Sequence, residues 1–179
     1  EHGMAAVRQI LASGVSLCML RLSTANETST TLALAGHENL IGALEGILSL
    51  RGLGPEKCML LLGFTGPDAL VRAVRGETLA LTSREGGIHV GRTFGKEWYK
   101  NRFRSPYLRN TLWERGYAID TLETALPWKA VLPAAEALHT ALSSALERFN
   151  ERSIVLTHLS HIYTDGASIY MTYIFRRAA

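Results

Sequence analysis

Three stretches of this chain place polar side chains where apolar sequence would otherwise continue. In residues 16–22, SLCMLRL, Arg21 stands among Leu17, Met19, Leu20 and Leu22. A guanidinium withdrawn from water must meet an acid, a ligand or the surface. Glu27, six residues on, is one candidate partner, and an anionic group of a ligand is the other. In residues 158–175, HLSHIYTDGASIYMTYIF, two histidines and a tyrosine precede an Asp165-Gly166 turn. His158 and His161 are three apart, so on a strand they point to opposite faces, which argues against both binding one metal. Tyr163 falls on the same face as His161 by this alternation, and the pair suits a polar wall over a reacting group, with Tyr163 as hydrogen-bond donor or proton relay. Residues 91–116 carry Arg92, Lys96, Lys100, Arg102, Arg104, Arg109 and Arg115 against only Glu97 and Glu114, interleaved with Phe94, Trp98, Tyr99, Phe103, Tyr107 and Trp113. That pattern reads either as a solvated basic helical face or as an anion site.

No nucleophile elbow, Walker loop, dinucleotide glycine fingerprint or HExxH helix occurs, and the glycine pair at 86–87 reads as a turn.

The elements that must position these groups follow from periodicity. Met4, Val7, Ile10 and Leu11 share one face of a helix ended by Gly14. Residues 16–22 predict a strand, 39–50 a helix or part-strand weakened by Gly42 and Gly46, and 57–64 a central strand apolar on both faces. A helix opens at Gly66-Pro67-Asp68 and runs to about Arg84. Residues 95–116 predict one or two short helices interrupted at Pro106. A strand over 117–124 precedes a long helix from Pro127, with apolar positions from Trp128 to Phe149 at 3.6 spacing. Strands over 154–162 and 168–176 close the chain. The expected class is α+β: a largely antiparallel sheet with helices packed on one face, in ferredoxin-like units.

The chain has 179 residues, 47% hydrophobic and 20% charged, with a net charge of +3, which suits one ordinary globular domain. No apolar run approaches the roughly 18–20 residues of a membrane span, and the N-terminus lacks the pattern of a secretory signal. Cys18 and Cys58 sit in apolar strand-like runs, where a cysteine behaves as a small buried hydrophobe, and two such residues fit a reducing, cytoplasmic compartment.

Taken with their spacing, RSPYLRN (104–110), DTLETALPW (120–128) and HLSHIYTDGASIY (158–170) make the chain resemble the C-terminal half of the FAD-linked oxidases, in the branch of alkyldihydroxyacetonephosphate synthase. The stretch SGVSLCMLRLSTANET (13–28) is similar to that family's strand in which an arginine precedes a short polar turn and a glutamate. The resemblance covers essentially the whole chain, and its most specific parts are ETALPW and SHIYTDGASIY. It implies a single cap, or substrate, domain over residues 1–179, excised from a longer protein and lying over an FAD held by another domain.

By the same resemblance, Tyr163 and Tyr107 are catalytic candidates, Arg21 and Arg109 bind substrate phosphate or carboxylate, and His161 also meets substrate. The synthase branch implies alkyl-for-acyl exchange on a flavin in ether-lipid synthesis. The wider family implies oxidation of a 2-hydroxy acid instead. Expected partners are a small anionic or lipid-like substrate, the FAD-binding domain and a second copy of the chain, with no nucleic acid. Two departures are expected to matter. Asn110 stands where the synthase has aspartate, and the family's histidine cluster is expected beyond Ala179, so the fragment alone is expected to be inactive. A reading from another class is a free-standing ferredoxin-like module that binds nucleic acid or an anionic ligand through the basic, aromatic stretch.

Overall fold

Apolar residues at helical spacing give α1 (His2–Ala12) one enclosed stripe: Val7 and Ile10 are fully buried and Ala6 nearly so. Gly14, at φ +72°, ends the helix as the sequence predicts. The computed structural model describes residues 1–34, 38–104 and 107–177, and the chain divides into two compact units, Glu1–Val90 and Gly91–Ala179. The fold is α+β, with helices accompanied by strands that pair antiparallel.

In the first unit, β1 (Met19–Ser23) pairs antiparallel with β2 (Met59–Gly63), Arg21 lying opposite Leu61. Helices α2 (Ala25–Leu34) and α3 (Glu38–Leu50) fall between them, and α4 (Asp68–Arg84) follows. Pro67 caps α4, Asp68 lies in its first turn and Arg84 in its last, each charge complementing the helix dipole. Helix α1 packs against α4, which buries Thr78 and Leu81.

Several expectations need correction here. The polar turn expected after Arg21 is the first turn of α2. Residues 39–50 are wholly helical, and β2 is a shorter strand at a sheet edge instead of a central one. Cys18 and Cys58 are free cysteines at exposed positions, each lying one residue ahead of its strand, although the Cys58 sulfur lies close against Gly3 and partial burial pushes its thiol up. Met19 pairs with Gly63 and Ser23 with Met59, so the two cysteines stand at opposite ends of the ladder.

The second unit opens with two short amphipathic helices, α5 (Thr93–Asn101) and α6 (Leu108–Glu114), neither of which fully buries a residue. The interruption expected at Pro106 lies outside the described residues. Strand β3 (Tyr117–Pro127) runs three residues further than predicted, and Pro127 caps the 20-residue helix α7 (Trp128–Glu147). Phe149, expected on that helix, lies beyond its end and is 79% exposed. Strands β4 (Ile154–Ile162) and β5 (Gly166–Arg176) complete the unit. Both β3 and β4 pair antiparallel with β5, so β3 and β4 run parallel to each other on either side of it. Joined through α7, they form the split strand–helix–strand arrangement of a ferredoxin-like half, and α7 packs on all three strands. Ala167, Ser168, Ile169 and Met171 of β5 are buried, as a central strand requires, together with Val155, Thr157 and Leu159 of β4 and Val131 of α7.

Candidate functional site

Arg21 belongs to the first unit. Its Nη2 pairs with a carboxylate oxygen of Glu27, in the first turn of α2, and the side chains keep only 19% and 9% exposure. The strand supplies the cation and the following helix the anion. Thr28 sits beside this pair, its hydroxyl accepting a hydrogen bond from the Met59 amide at 2.9 Å, which ties α2 to β2. The acid partner for Arg21 is thus the one six residues away, and the ion pair fixes the direction of the guanidinium.

Tyr107, Arg109, His161 and Tyr163 belong to the second unit. Tyr107 immediately precedes α6 and is 71% exposed, with Arg109 and Asn110 exposed on the first turn of that helix. Among the described residues, no side-chain hydrogen bond or ring contact joins any of these four to another. Earlier on the same stretch the guanidinium of Arg102 lies over two rings, 3.6 Å from the centroid of Tyr99 and 4.2 Å from that of Phe103. Trp113 is similarly covered by Arg177 at 4.0 Å. The interleaving of cations and aromatics therefore has a local physical cause in cation–π contact.

The turn between β4 and β5 departs from the expected geometry. Strict alternation would put His161 and Tyr163 on one face, but the ladder slips by one residue between Ser160 and Ile162. His161 is the extra residue, with left-handed backbone at φ +46°, so alternation does not carry through it. The turn itself is centred on Thr164 and Asp165: the Tyr163 amide donates to the Gly166 carbonyl at 2.8 Å. Neither central residue has positive φ, so the turn belongs to the unprimed types that splay a hairpin, and the adjacent bulge adds twist.

Gly166 is required for a different reason than a turn conformation. It is a strand residue opposite Pro127, and a Cβ there would lie 2.2 Å from the Leu126 carbonyl oxygen. Tyr163 projects from this turn at 55% exposure and His161 is also exposed. His158, by contrast, faces Tyr170 across the ladder and stacks on it with centroids 5.0 Å apart, an ordinary cross-strand pair.

The two most specific sequence segments prove to be one structural unit. ETALPW is the end of β3 and the start of α7, and SHIYTDGASIY is the hairpin that pairs with it. Ser168 Oγ donates to Glu123 Oε1 at 2.5 Å. The Trp128 amide donates to the Asp165 carbonyl at 3.1 Å, and the Trp128 indole Nε1 donates to the Thr164 carbonyl at 3.0 Å. Residue reading assigned Trp128 only to the helix stripe. Its place directly after the strand-ending proline was the available signal for a second role.

A split strand–helix–strand half with exposed hydroxyl and imidazole groups on its hairpin defines an α+β domain that offers polar groups from a sheet end. The chain belongs to the family described as FAD linked oxidases, C-terminal domain, which matches residues 1–179. It is 23% identical over 182 residues to alkyldihydroxyacetonephosphate synthase of Dictyostelium discoideum, covering 96% of this chain and 29% of that protein. The Trypanosoma brucei brucei synthase is 21% identical over 181 residues, covering 97% and 30%. Two crystal structures of alkyldihydroxyacetonephosphate synthase, in space groups P212121 and P1, superpose with TM-scores of 0.82 and 0.83. Each is 21% identical and covers 98% of this chain and about a third of the other, which establishes the shared fold. The chain thus spans about 30% of the length of these curated relatives.

Proposed function

We propose that residues 1–179 form the substrate-side cap domain of an FAD-dependent enzyme of the alkyldihydroxyacetonephosphate synthase type, exchanging a fatty alcohol for an acyl chain. The observation that carries this reading is the match of the family to the whole chain, joined to the synthase fold at a TM-score of 0.82. In this reading the FAD is gripped by another domain and this chain closes over its reactive ring. The residues present fit that division of labour. Gly86 and Gly87 follow the C-terminal end of α4, where the helix dipole is negative, and a Cβ on Gly87 would strike Thr82, so this glycine pair is no phosphate cradle.

The hairpin, on the other hand, presents Tyr163 and His161 outward. When bound, the flavin supplies the bond-making and electron-sink chemistry. The roles proposed for the second unit are a hydroxyl at Tyr163 that donates to or relays a proton from the reacting oxygen, supported by Tyr107, with Arg109 and His161 as substrate-binding groups; for the first unit, the role proposed is a phosphate- or carboxylate-binding guanidinium at Arg21. The assignment of Arg21 rests on the likeness of its strand to the family's; Glu27 already partners the guanidinium within the chain and fixes its direction. The protein acts on a small, anionic, lipid-like substrate in the cytoplasm as a homodimer. No helix among the described residues is long and apolar enough to cross a membrane.

The test uses the full-length gene product, loaded with FAD and supplied with an acyl dihydroxyacetone phosphate and a labelled fatty alcohol. Label is expected in the phosphate product. Arg21→Lys is expected to lower turnover by roughly ten- to a thousandfold, about 1.4–4 kcal/mol, with FAD content unchanged. Reduction of an electron acceptor by 2-hydroxy acids, with no alcohol incorporated, would replace the synthase reading by that of a dehydrogenase.

A further inference from the structure

We infer that Trp128 is a positioning residue for Tyr163, an inference that rests on the proposed role of Tyr163 at the reacting centre. Tyr163 projects from a turn whose central residues, Thr164 and Asp165, both give their carbonyl oxygens to Trp128. The indole Nε1 takes that of Thr164 at 3.0 Å and the backbone amide takes that of Asp165 at 3.1 Å. Two donors from one residue converge on adjacent carbonyls, which fixes the turn in both displacement and tilt.

The clamp is anchored on both sides. Pro127 ends β3 in register with Gly166, whose missing side chain allows the Leu126 carbonyl to approach within 2.2 Å of the Cβ position. Trp128 is also the first residue of α7, so the rigid helix carries the donors. On the other arm, the bulge at His161 shifts the β4–β5 pairing by one residue; pairing resumes at Ile162↔Ala167, and the Tyr163 amide donates to the Gly166 carbonyl at 2.8 Å. Tyr163 therefore sits between a shifted ladder, which holds it by one amide bond, and a turn whose two central carbonyls are held from the start of α7. A hydroxyl that must donate or relay a proton needs its donor–acceptor distance held to a fraction of an ångström, and an unclamped hairpin tip does not provide this. The two segments that mark this chain most specifically, ETALPW and SHIYTDGASIY, are thus the clamp and the group it clamps.

The test is a double-mutant cycle in the full-length, FAD-loaded protein. Trp128→Phe keeps the ring and deletes the Nε1 donor. Alone it is expected to lower kcat by about ten- to a hundredfold, with a smaller change in KM and unchanged FAD content. Tyr163→Phe alone is expected to lower kcat at least as far. The double variant is expected to be no slower than Tyr163→Phe, because displacing a missing hydroxyl costs nothing further.

Hydrogen exchange supplies a reading independent of turnover. The Tyr163 amide should exchange faster in Trp128→Phe, while amides in the centre of β5 keep their protection. Additive losses in the cycle, or unchanged exchange at Tyr163, would overturn the inference. Normal kcat in Tyr163→Phe would instead overturn the role given to Tyr163, whatever Trp128→Phe does. Should Trp128→Phe not yield folded protein, Trp128→Leu, which also lacks a side-chain donor, carries the same cycle.

Discussion

At the scale of single residues, burial and charge decide what a side chain does. Arg21 was legible as a residue needing a partner because it interrupts an apolar strand, and Glu27 was legible as one answer; the structure joins them. Tyr173 was not singled out, because its partner is distant in sequence. It stands opposite Asp120 across the β3–β5 ladder. Partial burial, then the Asp120 charge and the hydrogen bond to it, push its phenol above the ordinary value of 10. The neutral phenol is the form the fold favours, so its contribution to stability is intact below pH 10 and is lost as the pH rises through the folded value. With ring-labelled tyrosine, NMR titration should find Tyr173 ionising later than the free amino acid. Asp120→Asn, which removes the charge, should bring the midpoint down; an unmoved midpoint would show that burial alone sets it.

At the scale of elements, the strands and helices with strong periodicity were readable and the locally ambiguous ones were not. Helix α7 and strand β4 follow directly from apolar spacing. Helix α2, ANETSTTLAL, did not show itself, since its serine and threonines are weak helix formers. Ser29 and Thr30 instead return their hydroxyls to the Asn26 carbonyl, each at 2.9 Å, and tertiary burial of Glu27, Thr28 and Leu32 secures the helix. The Asp-Gly pair suggested a turn that includes Gly166, whereas the glycine serves close backbone approach in the strand beside it. Gly166→Ala is therefore expected to destabilise the second unit by about 1–3 kcal/mol, the usual cost of overpacking, because the obstructing atoms are backbone. Urea unfolding measures it. A variant as stable as the parent would mean that β3 yields at Leu126 without penalty.

On the scale of the whole molecule, family and fold were legible because they reside in a few dense motifs, while the roles proposed for Tyr107, Arg109, His161 and Tyr163 came chiefly from resemblance, and no side-chain hydrogen bond or ring contact among the described residues joins these four to one another. What can be checked on the chain alone is its share of cofactor binding. The purified 179-residue protein is expected to be colourless and to bind FAD no more tightly than about 0.1 mM, since its one glycine pair is a helix-terminal turn. Fluorescence titration of FAD with the chain measures this. A yellow preparation whose flavin survives gel filtration would show that the cap itself grips the dinucleotide.

The bulge at His161 has a consequence for how length can vary in this chain. Pairing sums are constant along β4 and β5 from Ile154↔Ile174 to Ser160↔Ser168, and they shift by one only at Ile162↔Ala167. The hairpin thus holds a single residue of slack. Deleting His161 would restore an uninterrupted ladder and leave Tyr163, Thr164, Asp165 and Gly166 in their present relation. An insertion between Thr164 and Asp165, inside the turn, would separate the Trp128 donors from their carbonyls. Sequence length should therefore drift at position 161 and hold constant from 162 to 166.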